Sequence, residues 1–173
     1  VLLENNYTIV LIEQTTPPPN PMREITKIIS PGTYIDEVKN NEANYITSVL
    51  IKEEKCYKTN IPQYIIGLAS IDLTTGKNSI YELYSTKNDE KVLFEEMYRY
   101  IESFCPKEII IIGYQLNTLT KDKILMHINT SNRKYHYIDK IDPSYSTISY
   151  QNEFLNRVFT NSAMLSPIEY LNL

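Results

Sequence analysis

Glycine is scarce, with four in 173 residues. Backbone-lined phosphate cradles draw on repeated glycines, so a chain this poor in them gives little material for one. Histidine and cysteine number two each. Cys56 and Cys105 lie far apart, with no CxxC and no disulfide framework, and read as free thiols of a reducing compartment. His127 falls on a short helical segment and His136 on a strand. Neither has a spaced acid or thiol partner in the sequence, so metal ligation is not expected. Positive charge is in deficit: 17 Lys and Arg stand against 21 Asp and Glu, for a net charge of -4 and a pI near 5.3. A domain that grips nucleic acid through its own phosphate contacts usually carries a basic excess. Any DNA contact is therefore expected to be local or shared with a partner. No apolar run approaches the roughly 18 residues of a membrane helix. The opening VLLENNY has an acid and no basic n-region, so neither membrane nor export signal is expected and an intracellular setting is.

What is present is a foldable chain. Hydrophobic residues make up 42%, enough for a core, and the length suits one domain or one and a half smaller ones. Tyrosine is abundant at 15. Ile, Asn and Lys are also frequent, which reads as AT-rich coding. Both ends look cut: Val1–Glu4 gives one helical turn before Asn5-Asn6, and the capping box Ser166-Pro167-Ile168-Glu169 opens a helix just before Leu173. The expectation is a fragment of a longer protein.

Two units lie between those ends. The first, residues 1–40, contains strand 7–13, the bend Pro17-Pro18-Pro19-Asn20-Pro21, strand 23–29 and the corner Ser30-Pro31-Gly32-Thr33. In that corner Pro sets φ and Gly supplies a positive φ, so it reads as a plain turn, not a phosphate loop. The polar run Lys39-Asn40-Asn41-Glu42 marks the boundary. The second unit, 41–161, opens with strands 43–52, 62–73 and 78–84 as a meander around Thr74-Thr75-Gly76-Lys77. Leu93, Met97, Ile101 and Phe104 recur at helical spacing, and Pro106 ends that helix. Ile109-Ile110-Ile111-Ile112 does not alternate, which predicts a central strand buried on both faces. A helix over 120–129, a strand over 135–139 and a helix over 149–159 complete the order βββαβαβα. That is an α/β, ribonuclease H-like mixed sheet, preceded by the final strands of a small α+β domain. Residues 162–173 would begin a helical core domain.

The fold brings one chemical temptation. Ribonuclease H-like nucleases hold two Mg²⁺ ions between carboxylates of the first long strand, the first helix and later strands. Asp72, with Glu95 and Glu96, matches the first two places. The strand at 109–113 ends in Gly113-Tyr114-Gln115 without an acid, and Asp139 and Asp142 come late. The competing reading makes Asp72 a hydrophilic acid beside a turn, and Asp72→Asn should then change stability little. An actin-like ATPase would use a comparable phosphate element, but needs two such halves and more glycine. The tyrosine-rich strands are read as half-buried sheet positions over a base-stacking platform, and Glu95-Glu96-Arg99-Glu102 as a solvated helix face.

The order of these motifs resembles the MutS family. Tyr7–Gln14, then Arg23-Glu24, a strand and Ser30-Pro31-Gly32-Thr33 resemble the end of that family's mismatch-recognition domain. Gly67-Leu68-Ala69-Ser70-Ile71-Asp72-Leu73-Thr74-Thr75-Gly76 resembles its connector-domain signature, and Leu165-Ser166-Pro167-Ile168 the entry to its helical core. The proline run departs from the usual bacterial form and leans toward the branch of large DNA viruses and octocoral mitochondria. The resemblance implies a dimeric parent that binds mismatched double-stranded DNA and hydrolyses ATP with Mg²⁺ in a distant domain. The Phe-x-Glu wedge would lie before Val1 and the nucleotide motifs after Leu173. This chain itself would be non-enzymatic, would hold no cofactor or metal, and would join the mismatch reader to the core and offer a surface to a MutL-type partner. The candidate docking residues are Gln151 and Asn152, on a helix capped by Ser149 whose Phe154, Leu155, Val158 and Phe159 point into the core.

Overall fold

A computed structural model describes residues 1–35, 43–55, 62–85, 89–114, 116–128, 130 and 133–158. The boundary run at 39–42, the capping box at 166–169, Cys56 and Phe159 lie outside the described residues. A 3-10 turn at Leu3–Asn5 precedes strands β1 (Ile9–Gln14) and β2 (Arg23–Ile29), which form an antiparallel two-stranded sheet. Five further strands form the main sheet: β3 (Tyr45–Lys55), β4 (Pro62–Asp72), β5 (Asn78–Tyr84), β6 (Glu108–Tyr114) and β7 (Lys134–Ile138). Their order is β5-β4-β3-β6-β7. β3, β4 and β5 pair antiparallel, while β6 and β7 run parallel to β3. A three-strand meander extended on its first strand by two parallel strands is the ribonuclease H-like topology, as the order of elements predicts.

Helices α1 (Glu90–Phe104) and α2 (Thr118–Ile128) are the crossovers into β6 and β7. Leu93, Phe94, Met97 and Ile101 make one apolar stripe on α1, all buried. Cys105 then takes a left-handed φ of 44°, its N–H closing on the carbonyls of Ile101 and Glu102, and Pro106 prevents continuation. Because both crossovers advance across the sheet in the same direction and right-handed crossovers are the rule, both helices fall on one face. That face is the core: Val49, Ile51, Ile66, Leu68, Ile109 and Ile111 lie under Leu93, Phe94, Met97, Ile101, Ile124 and Ile128. The hydroxyls of Thr47 and Ser70, cross-strand neighbours in this layer, satisfy each other at 2.7 Å. Glu102 is not merely solvated: Arg133 holds it with two hydrogen bonds of 2.7 and 2.8 Å, fastening α1 to the entry of β7.

The isoleucine run is a correction to the expectation of two-sided burial. β6 is an interior strand, as predicted, but Ile109 and Ile111 are fully buried while Ile110 and Ile112 are half-buried. The second face also carries Leu50, Ile71, Ile80 and Ile138, each 40% or more exposed. Helix α3 (Ile148–Val158) follows a 3-10 turn at Pro143–Ser146 and buries no residue. Phe154 and Val158 are 54% and 55% exposed and Leu155 is half-buried, so they do not point into the core as expected. α3 begins at Ile148, so Ser149 is inside the first turn and not its cap. Among the described residues no helix is long and apolar enough to cross a membrane.

The two faces of β6 predict unequal sensitivity. Ile111→Ala should cost about 2–5 kcal/mol, and Ile112→Ala on the order of 1 kcal/mol, read as shifts in urea midpoint.

Candidate functional site

Backbone geometry explains why Ser30-Pro31-Gly32-Thr33 folds as it does. Ser30 N–H donates to Thr33 Oγ1 at 2.9 Å, and Tyr34 N–H returns to the Ser30 carbonyl at 3.0 Å. The glycine is required for a reason other than the expected one. Positive φ falls on Gly76, at 73°, whereas Gly32 is needed because the sheet approaches it closely. A Cβ on Gly32 would lie 2.6 Å from both Cβ and Oε2 of Glu108 and 3.0 Å from Ile46 Cγ1. The corner is thus seated on the first residues of β3 and β6, which the parallel register places side by side as Ile46 and Glu108.

Glu108 is the residue that the sequence alone leaves unremarked. It is a carboxylate 5% exposed at the head of an isoleucine strand. Its Oε2 accepts from Ser30 Oγ at 2.6 Å and from Gly32 N–H at 2.9 Å. Its Oε1 pairs with Nε2 of His136 on β7. His136 does have an acid partner, contrary to expectation, because parallel pairing of β6 and β7 sets residues 28 apart in sequence beside each other. Burial pushes the Glu108 carboxyl up, but the hydrogen bonds from Ser30, His136 and Gly32 together outweigh it and hold it below its ordinary value. The one signal in the sequence is an acid opening an otherwise apolar strand, a place where burial demands partners.

Asn44 grips the corner from the other side. Its Nδ2 donates to the carbonyls of Gly32, at 2.8 Å, and Tyr34, at 3.1 Å. Its Oδ1 is buried with no partner among the described residues. Its backbone N–H donates to Asp72 Oδ1 at 2.9 Å. Asp72 Oδ1 also accepts from the N–H and hydroxyl of Thr74 at 3.0 and 2.7 Å, and Oδ2 accepts from Thr75 Oγ1 at 2.7 Å. Thr75 first, then Asn44 and Thr74, hold the Asp72 carboxyl well below the usual carboxylate range, against the opposing effect of burial. Asp72 does flank the turn, but it is 2% exposed and hydrogen-bonded through both oxygens. Asp72→Asn should therefore lower stability, not leave it unchanged, since an amide places a donor where Thr75 also donates.

The other candidates are dispersed. Glu95 pairs with Lys91 at 3.8 Å, Glu96 and Asp139 are exposed, and Asp142 accepts from Ser144 N–H at 2.9 Å. His127 bonds the Lys123 carbonyl through Nδ1 at 2.8 Å and lies against Phe94. Among the described residues no three His, Cys, Asp or Glu side chains converge on a place for a metal ion. Gln151 and Asn152 are both exposed on α3, but Gln151 Nε2 donates to the Tyr145 carbonyl at 2.9 Å, so its amide is partly occupied by its own chain.

Known proteins give the context for this junction. No protein-family model matches the chain. A mutS-homologue DNA mismatch repair protein of Acanthamoeba polyphaga mimivirus is 30% identical over the whole of this chain, which covers 17% of that relative. The chain belongs to the MutS family. The DNA mismatch repair protein MutS of Fusobacterium nucleatum is 33% identical over 54% of this chain and 10% of its own length. This MutS-family chain thus spans about a sixth or less of the curated relatives named here. Ribonuclease H1 from Halobacterium salinarum aligns over 58% of this chain and 88% of its own, at 9% identity and a TM-score of 0.33. The ribonuclease H-like assignment of the MutS-family sheet rests on its strand order and pairing directions.

The junction predicts an acid-sensitive contribution. Glu108 titrates in the fold below its ordinary value of 4.5, so its charged form stabilises at neutral pH and the contribution is lost as pH falls through the folded value. Urea midpoints of wild type should fall more steeply below about pH 4.5 than those of Glu108→Gln. Gly32→Ala should cost about 1–3 kcal/mol at neutral pH by forcing the corner off the sheet.

Proposed function

We propose that this chain joins mismatch recognition to the core of a DNA mismatch-binding ATPase, as a connector without catalysis of its own. In this reading residues 1–40 end the mismatch-recognition domain, 41–161 are the connector and 162–173 begin the helical core. The observation that carries it, beside the family relationship, is the seating of the Ser30-Pro31-Gly32-Thr33 corner on Glu108 and Asn44. Two separate sheets are fastened there by buried hydrogen bonds, which is the construction a mechanical joint needs. The parent, a homo- or heterodimer, would bind mismatched double-stranded DNA and carry ATP and Mg²⁺ in a domain outside this chain. A MutL-type protein would be recruited through the connector.

Asp72 is the residue on which a metal-dependent nuclease reading would stand. Its Oδ1 already accepts three hydrogen bonds, from Asn44 and Thr74, and its Oδ2 one, from Thr75, so the carboxylate is committed to the turn and a metal ion would compete with those donors. Incubating the chain with Mg²⁺ or Mn²⁺ and labelled duplex, single-stranded and RNA–DNA hybrid substrates separates the readings. The connector reading expects no cleavage above a metal-free control, and cleavage abolished by Asp72→Asn would replace it with the nuclease.

Docking of the partner is tested in the full-length parent with Gln151→Ala and Asn152→Ala together. Folding and mismatch binding should be unchanged while recruitment of the MutL-type protein is lost. Recruitment at wild-type strength would leave these two residues as the solvated face of α3.

A further inference from the structure

The hairpin of β1 and β2 touches the main sheet at its corner, where Glu108 divides its two oxygens between different elements. Oε2 belongs to the hairpin, through Ser30 Oγ and Gly32 N–H. Oε1 belongs to edge strand β7, through His136. The Glu108 side chain is 7% exposed while that of His136 is 47% exposed. A carboxylate is planar and its oxygens are fixed relative to each other, so a rotation that follows one partner displaces the other. Close packing leaves little slack: a Cβ on Gly32 would meet both Glu108, at 2.6 Å, and Ile46, at 3.0 Å. Asn44 binds the carbonyls of Gly32 and Tyr34 and so sets a second point of attachment about which the corner can pivot.

We propose that Glu108, oriented by His136, is a positioning residue that sets the angle of the β1–β2 hairpin against the five-stranded sheet and couples that angle to edge strand β7. The coupling rests on the reading of residues 1–40 as the end of a mismatch reader. Under it, displacement of the reader on meeting a mismatch is conveyed to edge strand β7 through the Glu108 carboxylate. The half-exposed His136 is the side of the contact that a neighbouring domain or partner can reach.

The angle is measured first in the 173-residue chain, without DNA. Nitroxide labels are placed at Glu13→Cys on β1 and Glu96→Cys on α1, both exposed, with Cys56 and Cys105 changed to Ser, and their separation is read by pulsed dipolar spectroscopy. His136→Ala and Glu108→Ala should each broaden the distance distribution while amide protection of Ile109 and Ile111 is kept. Glu108→Gln should restore the narrow distribution, since its amide oxygen still accepts from Ser30 and Gly32 and its NH₂ faces His136. An unchanged distribution in His136→Ala, or broadening together with lost β6 protection, overturns the proposal. The second measurement uses the full-length parent, comparing nucleotide affinity with and without mismatched DNA. His136→Ala should leave mismatch affinity intact and cut a coupling factor of about five-fold or more toward one. Intact coupling overturns the role of Glu108 and leaves the connector reading standing. A wild-type parent with no preference for mismatched DNA overturns the connector reading itself.

Discussion

A buried carboxylate organises this chain. Taking a charge out of water costs several kcal/mol, which only directed donors and an opposite charge offset. Glu108 meets that demand by drawing three partners from two places: Ser30 and the backbone of Gly32 in a turn seventy-odd residues upstream, and His136 on a strand downstream. Removing the side chain's oxygens, and not the charge alone, would take away the bonds through which those elements meet. The hairpin of β1 and β2 buries almost nothing of its own, and two-stranded ribbons are marginal alone. Its placement therefore depends on the corner and the carboxylate beneath it.

Asp72 and Glu108 solve the same problem differently. Asp72 is satisfied locally, by the two threonines that follow it and by the neighbouring strand, and so closes the meander. Glu108 is satisfied at long range, and so joins units. Asn44 stands between them, its backbone bound to Asp72 and its side chain bound to the corner. A line of hydrogen bonds consequently runs from the β4–β5 turn to the hairpin without passing through the hydrophobic core. Among the described residues the core is one-sided, since α1 and α2 both cross on the same face, and the opposite face keeps Leu50, Ile71, Ile80 and Ile138 substantially exposed.

The sequence by itself determined the elements and their order. Period and punctuation act over a few residues, so β2 and β5 fall where alternation and turns predict, α1 ends just before Pro106, and the order βββαβαβα admits few topologies. The order of motifs also carried the family. Only the tertiary structure decided which side chains meet. Four consecutive isoleucines look alike along the chain, yet crossover direction buries Ile109 and Ile111 and leaves Ile110 and Ile112 half-covered. Gly32 looks like a turn glycine, yet its lack of a side chain answers to Glu108, 76 residues away. His136 looks unpartnered until β7 pairs with β6. Local preferences are written in neighbouring residues, whereas the satisfaction of a buried charge is a contact between distant ones, and only the folded register brings those within hydrogen-bonding distance.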